Sequence, residues 1–117
     1  MYMSIYFYRV PRQHVESFLR IQREAAELYR QLGALDDMTL QGHELAAKYG
    51  CLAFDKAIEL GEDEVAFVGI SIFRDQQHHE EVMRLADVHE RMNQLYQEVA
   101  SLVDIGSIIR GEFARVV

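Results

Sequence analysis

The chain has 117 residues, half of them hydrophobic and 26% charged, with a net charge of −7. This length predicts one domain over residues 1–117, able to bury a core without disulfide or metal staples. The acidic balance argues against nucleic acid and anionic membrane surfaces as partners, because both are gripped by clustered Lys and Arg.

Met1 to Val10 shows no basic leader, long apolar run or small-residue cleavage site, so no signal peptide is expected. Strand one is predicted from about Tyr2 to Val10, apolar on both faces: Met3, Ile5 and Phe7 on one, Tyr2, Tyr6 and Tyr8 on the other. Pro11, the only proline, suits the first turn of the helix that follows. That helix carries Val15, Phe18, Ile21, Ala25, Leu28 and Leu32 at steps of three and four, and Gly33 closes it. A weaker strand follows near Leu35 to His43, where the Asp36–Asp37 pair lowers strand propensity and points to a sheet edge.

Residues 44–64 are irregular, with a short helix expected at Glu44 to Tyr49. The only cysteine, Cys51, cannot form an internal disulfide and fits a reducing cytosol, so a cytoplasmic location is expected. Residues 65–73 form the strongest strand: Val65, Phe67 and Phe73 point one way, Ala66, Val68, Ile70 and Ile72 the other. One long helix is predicted from Asp75, as N-cap, to Leu102, with a stripe of Val82, Leu85, His89, Met92, Tyr96, Val99 and Val103. Gly106 breaks it before a last strand from about Ile108 to Val117. No segment approaches the ~18 consecutive apolar residues of a membrane span.

The order strand, helix, strand, strand, helix, strand predicts an α+β, ferredoxin-like βαββαβ fold: an antiparallel sheet with both helices on one face. A sheet bare to water on its other face would alternate apolar with polar residues, and these strands do not. The uncovered face therefore calls for a second copy, and a two-fold homodimer is expected.

The opening Met-Tyr and the Val10-Pro11 junction, Gly33-Ala34-Leu35, Phe54-Asp-Lys-Ala-Ile-Glu-Leu60, Asp63-Glu-Val65, His78 after the central strand, and Arg110-Gly-Glu-Phe113 are the distinctive segments. Together they resemble a small bacterial family of unknown function, DUF1428, of the dimeric α/β-barrel superfamily. The chain departs from the family pattern at Gly69-Ile70, where the family has a Trp. It departs again before the last strand, where only Asp104 and Gly106 remain of a Pro-Phe-Asp-Gly-Lys-Arg-like segment. The resemblance implies the dimeric barrel. It implies no single activity, because that superfamily holds cofactor-independent monooxygenases, isomerases, haem enzymes and proteins of no known reaction.

Among residues with chemistry, five histidines stand out. No His-x-x-x-His, His-Glu-x-x-His or Cys-x-x-Cys spacing occurs. His78 and His89 lie about 16 Å apart along a helix, too far for one ion. No metal and no cofactor are therefore expected. His78 opens the second helix beside the end of the central strand, where an imidazole could act as a general base. The bland alternative is a capping histidine bonded to Asp75. Tyr6, His43 and Phe67 are the candidate ligand-binding neighbours of that corner. The row Tyr2, Tyr6 and Tyr8 suits an apolar or aromatic ligand held by phenol rings and hydroxyls, and suits a dimer interface better for the same physical reason. The function expected is that of a cytosolic small-molecule-binding protein, as a cofactor-independent enzyme of monooxygenase or isomerase type; the alternative is a non-catalytic ligand-binding or protein-interaction module.

Overall fold

A computed structural model describes residues 1–117. Strand β1 (Tyr2–Pro11) leads through a 3₁₀ turn at Arg12–His14 into helix α1 (Val15–Gln31). Strand β2 (Asp36–Gln41), the single-turn helix α2 (Phe54–Ala57) and strand β3 (Glu64–Phe73) follow. Helices α3 (Gln76–Asp87) and α4 (Glu90–Leu102), a 3₁₀ turn at Ile105–Ser107 and strand β4 (Ile109–Ala114) complete the chain. The strands form one antiparallel sheet in the order β2-β3-β1-β4, the ferredoxin-like arrangement. β2 lies at an edge, as its acidic pair suggested.

The register sorts side chains into two faces. On the inner face, Tyr8 opposes Phe67, Tyr6 opposes Gly69, Ser4 opposes Ser71 and Tyr2 opposes Phe73. The helices lie on this face. Phe18 of α1 meets Phe67 at 5.2 Å in a core with Val10 and Val103, and burying each such phenylalanine is worth about 1.5–3 kcal/mol. Ile21, Ala86, Met92 and Leu95 join α1 to α3 and α4. Arg91 of α4 forks onto Glu24 of α1 at 2.5 and 2.7 Å; both side chains are more than a third exposed, so the pair is worth under about 1 kcal/mol. Gly33 ends α1 at φ 118°, a conformation that side chains strain to adopt.

Three expectations change. Pro11 stays in the strand, opposite Glu64, because its extended ψ of 133° continues the ladder. The segment Glu44 to Tyr49 is not helical; the single helical turn comes later, at Phe54–Ala57. The long second helix is two helices, because His89 takes an extended ψ of 120° and its ring Nδ1 accepts the Met92 amide as N-cap of α4.

The outer face is not wholly bare. Residues 42–63 fold back over one end of it. The Gly42 amide donates to the Ala66 carbonyl, Phe54 packs edge-on against Phe7 at 5.4 Å, and Arg9 donates to the Glu59 carbonyl. Met3, Ile5, Met38, Ile70 and Ile72, at the other end, remain partly open. No helix is long and apolar enough to cross a membrane.

Candidate functional site

A cleft of about 460 Å³ opens between the inner sheet face and α1, α3 and α4, within the usual range for small-molecule sites. Small residues create it. The middle of the inner face carries Ser4, Gly69 and Ser71, and the helices opposite contribute Ala25 and Ala86. A Cβ at position 69 would stand 3.1 Å from the Tyr8 ring. Gly69 thus lets the ring lie across the sheet, and it is one of the positions where the chain departs from the family pattern.

Four tyrosines line the cleft: Tyr6 and Tyr8 from β1, Tyr29 from α1 and Tyr96 from α4. Tyr6 and Tyr8 stack at 6.1 Å, and Tyr8 meets Phe18 edge-on at 5.0 Å. Burial holds the Tyr8 phenol well above its ordinary pKa and pushes Tyr29 up to about 12. Both therefore remain protonated donors at neutral pH. Arg110 of β4 places its guanidinium 5.3 Å from the centre of the Tyr6 ring while donating to Glu112 at 2.8 Å. Asp37 enters from β2. Its carboxylate accepts the Ser71 hydroxyl, and its backbone carbonyl accepts from Arg30 at 3.0 Å. Burial raises the Asp37 carboxyl to about 6, against the opposing pull of the Ser71 hydrogen bond and the Arg30 charge.

The arrangement offers a carboxyl with a pKa of about 6 on one edge of the cleft, with phenols along the wall and, from the opposite edge strand, a guanidinium that can hold an oxygen-rich or negatively charged ligand. Such a carboxyl can take a proton from an acidic C–H or O–H and return it.

Of the residues singled out from the sequence, Tyr6 and its row neighbour Tyr8 line the cleft, and Tyr2, His43, Phe67 and His78 do not. Phe67 is 1% exposed in the core. His43 is exposed in the loop after β2. His78 is buried, but both ring nitrogens are spent within the fold: Nδ1 accepts the Arg74 amide at 3.0 Å, and Nε2 donates to the Gly33 carbonyl at 2.9 Å. Its backbone amide is capped by Asp75 at 2.8 Å. With no free lone pair and no place in the cleft wall, His78 has the geometry of a tie between the α1–β2 turn and the start of α3, not of a base. Asp37, Ser71, Tyr29 and Arg110 were not singled out. Their one signal lay in β2, where Met38 and Leu40 alternate with Asp37 and so turn it to the opposite face. No group of three His, Cys, Asp or Glu side chains is placed to hold a metal ion.

Solved structures share this fold at low identity. A candidate antibiotic biosynthesis monooxygenase from Nitrosomonas europaea is 13% identical, with a TM-score of 0.65 and full coverage of both chains. The Arabidopsis thaliana protein At3g17210 is 8% identical, with a TM-score of 0.66 over 100% of this chain and 97% of its own. An uncharacterised NIPSNAP domain protein from Burkholderia xenovorans is 11% identical, with a TM-score of 0.60 over 99% and 95%. These likenesses show the α+β, ferredoxin-like fold of the single chain and carry no chemistry. No curated protein matches the sequence. The match that assigns a family is that of the protein of unknown function DUF1428, over residues 1–102, and the chain belongs to that family.

Proposed function

We propose that this protein binds a small aromatic or conjugated carbonyl compound in the cleft and catalyses cofactor-independent proton transfer on it, as a cytoplasmic homodimer. The observation that carries the reading is Asp37: a carboxyl held by Ser71 in the wall of a cleft of about 460 Å³, with its pKa raised to about 6. A group of that pKa takes a proton efficiently near neutral pH. The surrounding phenols and Arg110 supply donors for the negative charge that would form on the ligand oxygen.

The test uses two probes. Titration with 1-naphthol, followed by NMR, should shift resonances of Tyr6, Tyr29, Gly69 and Ser71; no shifts, or shifts confined to the outer sheet face, would refute a ligand site. Exchange of the α-deuterons of an aryl ketone should be accelerated by the protein and slowed by about 10²–10⁴ in Asp37→Asn. Binding of both probes without acceleration would leave the non-catalytic ligand-binding module as the correct reading.

A further inference from the structure

His79 follows His78 in α3 yet makes none of its neighbour's ring hydrogen bonds. It is 7% exposed, edge-on to Phe73 at 4.8 Å and tilted against Tyr2 at 5.6 Å. Its Nδ1 is shut off from water and has no hydrogen-bond partner. Glu112 Oε1 lies 3.6 Å away, beyond hydrogen-bonding range. A buried polar nitrogen left unpaired beside a carboxylate is unusual and calls for a reason.

Glu112 is a junction. Its Oε1 accepts the Tyr2 hydroxyl at 2.5 Å, and its Oε2 accepts Arg110 Nη2 at 2.8 Å. Arg110 in turn lies over the Tyr6 ring in the cleft wall. A continuous path therefore runs from His79 through Glu112 and Arg110 to Tyr6. β4, which carries both Glu112 and Arg110, is an edge strand with mostly exposed residues, so a small displacement there disturbs little packing.

We propose that His79 and Glu112 are positioning residues for Arg110: a proton gained by His79 draws Glu112 toward Nδ1 and moves the guanidinium against Tyr6, so the cleft wall responds to the protonation state of His79. The groups around His79 leave this path open. β1 presents Tyr2, whose hydroxyl shares Glu112 Oε1. β3 presents the uncharged Phe73. β4 presents Glu112 with Arg110 behind it, and on α3 Asp75 accepts the His79 amide through its carbonyl while Glu80 bears on Tyr2. The Tyr2 and Arg110 hydrogen bonds hold the Glu112 carboxyl below the usual carboxylate range, so it is ionised at neutral pH.

The consequence for ligand binding rests on the cleft reading above; the coupling itself does not. NMR titration of the ligand-free protein between pH 5 and 8 should show the Tyr6 ring and Arg110 Nε–H resonances shifting with the midpoint of the His79 ring. That shared shift should be lost in His79→Phe, which keeps an aromatic ring between Tyr2 and Phe73, and in Glu112→Gln. Asp37→Asn should leave it in place, which separates it from titration of the cleft carboxyl. Tyr6 and Arg110 resonances that stay still while His79 titrates, a His79 ring that does not titrate in this range, or a response abolished by Asp37→Asn would each overturn the proposal. The wild-type titration decides even if a variant fails to fold. Failure of 1-naphthol to bind would remove the ligand site without affecting the coupling.

Discussion

Asp37 is the residue on which structure and chemistry pull in opposite directions. Its carboxyl is raised from an ordinary value of 3.8 to about 6 by burial. The folded state therefore favours the protonated form. The stability this contributes is fully present below about pH 4 and lost as pH rises through about 6. At neutral pH the buried charge costs roughly 1–3 kcal/mol. Asp37→Asn keeps an oxygen for Ser71 and removes the charge, so it should raise the melting temperature at pH 7 and leave it nearly unchanged at pH 4. Comparison of the two proteins at each pH isolates this effect from carboxylates of opposite trend, such as Glu24, which the Arg91 fork holds below its usual value. An equal difference at both pH values would refute it. From the sequence, Tyr6 was legible because period-two alternation sets a strand face. His78 was legible only as a position. Its ring is spent on the Arg74 amide and on the carbonyl of Gly33, 45 residues away, and backbone partners leave no mark in the pattern of side chains. Asp37 was read for its cost to a strand rather than for the face that its neighbours assign it.

The helix divided at His89 shows the same limit one level up. The stripe from Val82 to Val103 is regular on paper, yet Leu85 is 52% exposed and Tyr96 55%, while Ala86 and Leu95 are buried. A non-helical residue at His89 resets the phase, and a histidine able to cap its own following turn is indistinguishable in sequence from one within a helix. The other cap was legible. Asp75 precedes the periodic run, and its carboxylate accepts the His78 amide. Removing it in Asp75→Ala should cost about 0.5–2 kcal/mol. Urea unfolding should show a lower midpoint with an unchanged m-value, and an undiminished midpoint would show that the His78 ring alone anchors this end of α3. The four strands and their order were legible, because alternation and turn glycines mark the strands and the order strand, helix, strand, strand, helix, strand leaves few topologies. The fold-back of residues 42–63 was not: it is held by backbone hydrogen bonds and by scattered apolar residues without a period.

Taken whole, the molecule is a slab of 39 × 37 × 20 Å. Twenty ångströms suffices for one layer of sheet and one of helices, so nothing of this chain remains to cover the far side of the sheet beyond residues 42–63. What lies open there is apolar: Met3 and Ile5 of β1, Met38 of β2, Ile70 and Ile72 of β3, and Phe113 of β4, which is 56% exposed. Asp36 shares that face but is occupied at 3.7 Å by Arg30. A net charge of −7 per chain opposes association in general, so a contact must use a patch that is itself nearly free of charge, and this one is. Two copies facing each other across a two-fold axis would lay apolar sheet on apolar sheet at the usual spacing of about 10 Å. A lasting dimer should bury more than about 1,000 Å² in total. Sedimentation at micromolar concentration should therefore give a dimer. Ile70→Asp places a charge on the open face while leaving the inner core intact, and should give a folded monomer. Val68→Asp, nearer the fold-back, should impair folding as well. A wild-type monomer at micromolar concentration would refute the dimer. A dimer that persists in Ile70→Asp would move the contact to another surface and leave the sheet face for a different partner.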